Sequence, residues 1–313
     1  MCTAIRSGSF AGRNLDIDRD YGGEIIVVPK NYPFTFKRAN EIKGHYAFIG
    51  MGVVNEGFPL FFDAANENGL YVSGLNFVGN AKYRAVTPQK NNLAPYELIP
   101  YLLSKCATVK EAEYELEKIN LIGVEFTTEL KVAELHFFIA DKGRCAVVEC
   151  DKDGLKVYDN PVGVLTNNPP FPIQLFNLNN YMGLSSQMPE NRFSASLNLD
   201  NYSYGMGAIG LPGDLSSTSR FVRAAFHSSN CKADSAANLF HLLSTVMMPE
   251  GSVKTELGFE RTEFSSCVDL NRLIYYYRHY DSLNTRAVHM NKESLDGDTL
   301  IRHEIKKETE PYI

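Results

Sequence analysis

Through the first 80 residues, apolar and polar positions follow strand-length runs and alternations separated by turns. Glu24-Ile25-Ile26-Val27-Val28, His45-Tyr46-Ala47-Phe48-Ile49 and Leu70-Tyr71-Val72-Ser73-Gly74-Leu75 read as strands, and Asn66-Glu67-Asn68-Gly69 reads as a hairpin turn. The period then changes to that of a helix from Pro95 to Ser104 and again from Thr108, where Thr108 and Glu111 have the spacing of a capping box. Between Leu135 and Leu165 the strand pattern returns as a meander, with Asp141-Lys142-Gly143 and Asp151-Lys152-Asp153-Gly154 as its turns. From Thr166 to Ser219 the chain is rich in Asn, Pro, Gly and Ser. That composition predicts loops around one short helix, and irregular segments of this length usually serve function. Helices are predicted near Thr218–His227 and Ser235–Met247, followed by strands that include Arg272-Leu273-Ile274-Tyr275-Tyr276-Tyr277.

Strands and helices therefore come in blocks without strict alternation. This order predicts an α+β fold of antiparallel sheets covered by helices, and disfavours a doubly wound parallel sheet. No internal repeat, low-complexity tract or linker divides residues 1–313, so a single domain is expected.

Charge and cysteine content narrow the functional classes. A formal charge of −6 with no long basic run argues against nucleic acid as a partner, because phosphate binding needs concentrated positive charge. No apolar run has membrane-spanning length, and the N-terminus lacks a basic region followed by an apolar stretch, so a cytoplasmic protein is expected. The six cysteines form no CxxC pair, and five of them read as reduced, small core residues.

Cys2 differs from the others by its position. Loss of Met1 would leave one residue carrying both a thiol and a free α-amine, and an amine that titrates at about 7.7–8.0 can accept a thiol proton near neutrality. No histidine is then needed, and the seven histidines show neither a triad nor a metal-ligand spacing. Gly12-Arg13-Asn14-Leu15-Asp16 follows a predicted hairpin that returns the chain towards Cys2. It offers Arg13 to depress the thiol pKa and Asp16 to accept a hydrogen bond from the α-ammonium or to orient it.

With Met1-Cys2-Thr3-Ala4 and Gly12-Arg13-Asn14-Leu15-Asp16 go Gly74-Leu75-Asn76-Phe77, Leu165-Thr166-Asn167-Asn168-Pro169, and Gly210-Leu211-Pro212-Gly213-Asp214 leading to Ser219-Arg220-Phe221. In these motifs and their order the sequence resembles the choloylglycine hydrolase family, which groups conjugated bile salt hydrolases with penicillin V acylases among N-terminal-nucleophile hydrolases. The resemblance spans essentially the whole chain. It implies a four-layer αββα sandwich, with Cys2 as nucleophile and base, and Arg13 and Asp16 beside it. Asn76 and Asn167 would serve the oxyanion and the substrate amide, and Arg220 would add positive charge. It further implies hydrolysis of glycine- or taurine-conjugated bile salts through an acyl-thioester, a homotetramer, and no metal or organic cofactor. Gly-Leu-Asn-Phe resembles the bile salt branch, whereas Ala-Leu-Tyr-Phe is frequent in the penicillin acylase branch. A penicillin V or acyl-homoserine-lactone acylase with the same catalytic set stays open, as does a sterol-binding protein on the same scaffold.

A sterol amide requires an apolar trough. By resemblance its wall comprises Leu15, Tyr21, Val54, Phe62, Phe126, Leu130, Ala133 and Leu135. Phe126 and Leu130 lie within Gly123–Lys131, which reads as a loop between a helix and a strand, where exposed apolar residues invite a binding role.

Overall fold

The computed structural model describes residues 1–307. Its strands are β1 (Cys2–Ser7), β2 (Phe10–Ile17), β3 (Glu24–Val28), β4 (Phe48–Asn55), β5 (Phe58–Asn66), β6 (Tyr71–Asn76), β7 (Asn91–Leu93), β8 (Ile119–Leu121), β9 (Leu135–Ala140), β10 (Cys145–Asp151), β11 (Gly154–Asp159), β12 (Val164–Leu165), β13 (Val253–Lys254), β14 (Phe259–Asp269), β15 (Ile274–His279), β16 (Arg286–His289) and β17 (Ile301–Glu304). The α-helices are α1 (Leu98–Lys105), α2 (Val109–Leu116), α3 (Phe171–Asn177), α4 (Ser217–Asn230) and α5 (Ala236–Ser244).

Two antiparallel sheets stack face to face. One runs β11-β10-β9-β6-β5-β4-β3-β17, and the other runs β12-β1-β2-β14-β15-β16 with β13 beside β14. Helix α1 packs on β5 and β6 of the first sheet, while α4 and α5 pack on β1, β2 and β14 of the second. The layer order is therefore helix, sheet, sheet, helix, the αββα sandwich expected. Ile25, Val27, Ile49, Tyr71 and Phe138 of the first sheet join Ala4, Leu15, Cys267 and Tyr275 of the second in one core. The outer face of the first sheet packs Ile26, Phe48 and Val72 with Leu98, Leu102 and Val109. Burial of both sheet faces explains why the strands read as apolar runs more often than as clean alternations.

Several turns follow their local chemistry. Gly69 takes φ 84° between β5 and β6, and a Cβ there would lie 2.5 Å from the Leu270 carbonyl oxygen, so both backbone and space require glycine. Thr108 caps α2 by accepting from the Glu111 N–H at 3.2 Å. Glu111 reaches back to the Ala107 N–H instead of that of Thr108, so only half of the capping box forms.

Other boundaries differ from the sequence pattern. The strand expected from His45 begins at Phe48; His45 is fixed outside it, with its two ring nitrogens 2.8 Å from the carbonyl oxygens of Tyr46 and Tyr32. The strand expected from Arg272 begins at Ile274, because Leu273 turns the chain at φ 56°. Strand β14 carries Glu260, Arg261, Thr262 and Glu263 at its start, and that polar opening hides an element that pairs with β2 along its length.

Candidate active site

Cys2 opens β1 and pairs with Leu15 of β2, while Ala4 pairs with Arg13. Cross-strand partners point to the same face, and residues three apart on a strand point to opposite ones. The hairpin therefore sends Cys2, Arg13 and Leu15 towards the other sheet, and Asp16 towards α4 and α5.

On the inter-sheet side, Arg13 is fully buried, and its Nη1 donates to the Phe62 and Gly74 carbonyl oxygens at 2.7 and 2.6 Å. Its Nη2 has no hydrogen-bond partner among the described residues. Behind it, Asp63 accepts from Ser266 Oγ at 2.8 Å, Tyr275 Oη at 2.9 Å and Tyr71 Oη at 3.1 Å. Burial by itself disfavours the Arg13 cation, yet the Cys2 sulfur and the Asp63 carboxylate, with Tyr71 and Asp16, together raise its pKa above the ordinary value. Asp63 is pushed upward by burial, against the attraction of Arg13. The sequence signal for this network was a lone carboxylate in Pro59-Leu60-Phe61-Phe62-Asp63-Ala64-Ala65.

On the helix side, Arg220 in the first turn of α4 donates through Nη1 to Cys2 O at 2.7 Å and Thr3 Oγ1 at 2.6 Å, and through Nη2 to Asn167 Oδ1 at 2.8 Å. Asn167 Oδ1 also accepts from the Cys2 nitrogen at 2.8 Å, and its Nδ2 donates to Asn76 O at 2.8 Å. Asp16 Oδ1 accepts from Thr262 Oγ1 at 2.6 Å; Oδ2 lies 3.7 Å from Arg220 Nη1 and takes no hydrogen bond among the described residues. Burial raises the Asp16 pKa and lowers that of Arg220, and each opposes the other's shift. The Met1 ammonium donates to Asp16 O at 2.6 Å and pairs with Glu260. Thus the backbone of Asp16, not its carboxylate, receives the ammonium of the unprocessed chain.

A cavity of about 460 Å³ opens over Cys2 and Arg13, within the range of about 300–1,000 Å³ usual for small-molecule sites. Leu15, Tyr21, Phe62, Phe126, Leu130, Ala133 and Leu135 all line it, as does Asn76, whose exposed side chain ends β6. Val54 does not. Its neighbour Val53 lines the cavity and Val54 packs with the outer core, because adjacent strand residues face opposite ways. Phe126 is buried rather than exposed, with its ring edge-on to Tyr96 at 5.3 Å. Ile17, Val53, Leu60, Phe61, Pro95, Tyr96, Ile99 and Phe137 add to the apolar wall, and Arg19, Glu129 and Lys131 add charge. No sequence signal separated these from ordinary core and loop residues. Among the described residues, no group of three or more His, Cys, Asp or Glu side chains is arranged to hold a metal ion, and no helix is long and apolar enough to cross a membrane.

The chain is 44% identical to a bile salt hydrolase/transferase of Lactiplantibacillus plantarum, with 100% of this chain and 99% of that protein aligned. It is 35% identical to a bile salt hydrolase/transferase of Clostridium perfringens over 98% of each. A solved conjugated bile acid hydrolase from Clostridium perfringens superposes with a TM-score of 0.92 at 33% identity, covering 98% of both chains. Penicillin V acylase from Agrobacterium tumefaciens shares the fold, with a TM-score of 0.75 at 23% identity over 97% of this chain and 91% of that one. The model of the linear amide C–N hydrolases, choloylglycine hydrolase family, matches residues 2–303. A match of that extent, together with relatives that align from end to end, shows that the chain belongs to the choloylglycine hydrolase family.

Proposed function

We propose that this protein hydrolyses the amide bond of glycine- and taurine-conjugated bile salts, with Cys2 as nucleophile once Met1 is removed. The observation that carries this reading is the position of Cys2: its thiol faces an apolar cavity beside Arg13, and its nitrogen is held by Asn167 within reach of Arg220. The names of the relatives supply the substrate class.

In this mechanism the α-amine takes the thiol proton and Sγ attacks the amide carbon. The carbonyl π electrons move to oxygen, where the exposed Asn76 side chain acts as donor; Asn167 spends one amide N–H on the Asn76 carbonyl and supports it. Collapse breaks the C–N bond, and the α-ammonium returns its proton to the departing amine. Water then cleaves the thioester, releasing the free bile acid and restoring the thiol. Arg13 stabilises the thiolate from the inter-sheet side, while Arg220 and Asp16 orient the amine from the helix side. Retained Met1 would convert that amine into an amide and block the first step.

The test is release of glycine or taurine from glycocholate and taurocholate by protein whose N-terminus is established by mass spectrometry. Penicillin V and an acyl-homoserine lactone serve as comparators. Turnover of a comparator alone moves the assignment to that acylase, and tight sterol binding without turnover moves it to a binding protein.

We also propose a homotetramer. The segment from Met182 to Ile209 displays Met182, Phe193, Tyr202, Tyr204 and Ile209, all more than 60% exposed, and this gathering of exposed apolar side chains in one segment supports an interaction surface. Sedimentation equilibrium decides its size. Six free thiols suit a reducing compartment, which supports placing the protein in the cytoplasm.

A further inference from the structure

His136 is fully buried on β9, opposite Leu75 of β6, in the otherwise apolar run Leu135-His136-Phe137-Phe138. Its Nε2 lies 2.8 Å from the Thr166 carbonyl oxygen, which only accepts, so Nε2 carries a hydrogen. Its Nδ1 lies 3.2 Å from Glu149 Oε1 on the neighbouring strand β10, and one proton occupies that contact whichever partner formally holds it. The imidazole ring lies flat on Phe77, with centroids 4.4 Å apart and planes 7° apart. Glu149 Oε1 also accepts from the Phe171 N–H at 2.9 Å, at the first residue of α3.

One imidazole–carboxylate unit therefore touches the residue after Asn76, the residue before Asn167 and the start of the helix that follows. The Asn167 Nδ2 bond to Asn76 O closes this circuit. An apolar residue at 136 would fill the same volume but would leave the Thr166 carbonyl without its donor and the Glu149 carboxylate without its partner.

From this geometry we infer that His136 and Glu149 form a positioning pair that holds Asn76 and Asn167 in register across two separate chain segments. The pair reaches neither the substrate nor the thiol, and it acts through the placement of the two asparagines. The inference rests on the proposed roles of Asn76 and Asn167.

The test compares His136→Phe, Glu149→Leu and Glu149→Gln with the parent enzyme. The readouts are kcat and KM for glycocholate, thermal unfolding, and amide hydrogen exchange of residues 164–171. His136→Phe retains ring stacking but no donor, and Glu149→Leu removes the shared acceptor. Each should lower kcat by about tenfold to a hundredfold with KM within about twofold, as expected when catalytic groups move by less than an ångström or so. Exchange in 164–171 should quicken. Glu149→Gln keeps an amide that can meet His136 Nδ1 as acceptor or donor and an oxygen that can take the Phe171 N–H, so it should recover most of the loss seen in Glu149→Leu. Folded His136→Phe with parental kcat overturns the inference, and so do equal losses in the Leu and Gln variants. If His136→Phe does not fold, the Glu149 pair decides; failure of both His136→Phe and Glu149→Leu to fold makes the pair a core determinant and also overturns it. A parent that turns over none of the conjugates refutes the proposed function instead, and quickened exchange in the variants is then read independently.

Discussion

Asn167→Ala removes the side chain on which the two halves of the site meet. Asn167 is 6% exposed, and its loss leaves the Cys2 nitrogen and Arg220 Nη2 without an acceptor and the Asn76 carbonyl without a donor. A buried polar group left unsatisfied costs about 1–3 kcal/mol, so three of them set a ceiling of about 3–9 kcal/mol. Arg220 keeps its bonds to Leu215 O, Cys2 O and Thr3 Oγ1, so the expected loss of stability is nearer about 2–4 kcal/mol. The catalytic loss should exceed the stability loss in its consequences. With the amine unanchored and Asn76 unsupported, kcat should fall by about a hundredfold to a thousandfold, the scale seen when an oxyanion donor is removed. KM should change little, because the apolar wall is untouched. Urea unfolding and steady-state kinetics with glycocholate measure both quantities. Asn167→Asp provides the internal control, since it keeps the oxygen that Cys2 and Arg220 use while facing a carboxylate towards the Asn76 carbonyl. It should be more stable than Asn167→Ala yet still impaired in kcat. An Asn167→Ala enzyme within about 0.5 kcal/mol and threefold in kcat of the parent would refute the reasoning.

Further outcomes follow from the same geometry. Cys2→Ala should fold and show no turnover, and Cys2→Ser should lose most activity because a hydroxyl is less acidic and less nucleophilic than a thiol; full turnover by Cys2→Ala would remove Cys2 from the mechanism. Under limiting iodoacetamide, inactivation should track Cys2 labelling in peptide maps. Burial pushes Cys106 and Cys145 up to about 12 and Cys150 up to about 11, so these thiols should label late; early labelling of Cys106 with activity lost and Cys2 intact would contradict this. Phe126→Ala should raise KM for glycocholate and taurocholate alike by about tenfold, the equivalent of about 1.4 kcal/mol of apolar contact, and a large change in the glycine-to-taurine ratio would show that this loop reads the amino acid. Glu115 tests the pH dependence of stability. Burial would raise its pKa, but hydrogen bonds from Lys105, Lys118 and Tyr101 outweigh burial and hold it at about 2. Its contribution is therefore present above the ordinary glutamate range and is lost as pH falls from about 4.5 towards 2, so Glu115→Gln should reduce stability at pH 7 by up to about 1 kcal/mol and leave it unchanged near pH 2. Equal effects at both pH values in urea titrations would exclude that account.

Local chemistry alone was enough to identify much of this protein. The turns at Asn66–Gly69, Asp141–Gly143 and Asp151–Gly154 are where backbone preferences put them, and Thr108 caps α2 as its spacing suggests. The motifs around Cys2, Arg13, Asn76, Asn167 and Arg220 were also legible, because each is contiguous and the family resemblance orders them. Which side each residue serves was not legible. Arg13 and Asp16 look like one cluster in the sequence, but a strand's alternation sends one to the inter-sheet side with Cys2 and the other to Arg220 on the helix side. Val53 and Val54 are indistinguishable in composition, and only the register of β4 against β5 selects Val53 for the cavity. Asp63, Thr262, His136 and Glu149 have hydrogen-bond partners from 8 to 246 residues away, brought together by sheet stacking and strand order. Propensity and periodicity act over a few neighbouring residues and can be read along the chain. A buried polar group finds its partner only when the two sheets close on each other, so the polar network of this site belongs to the tertiary structure.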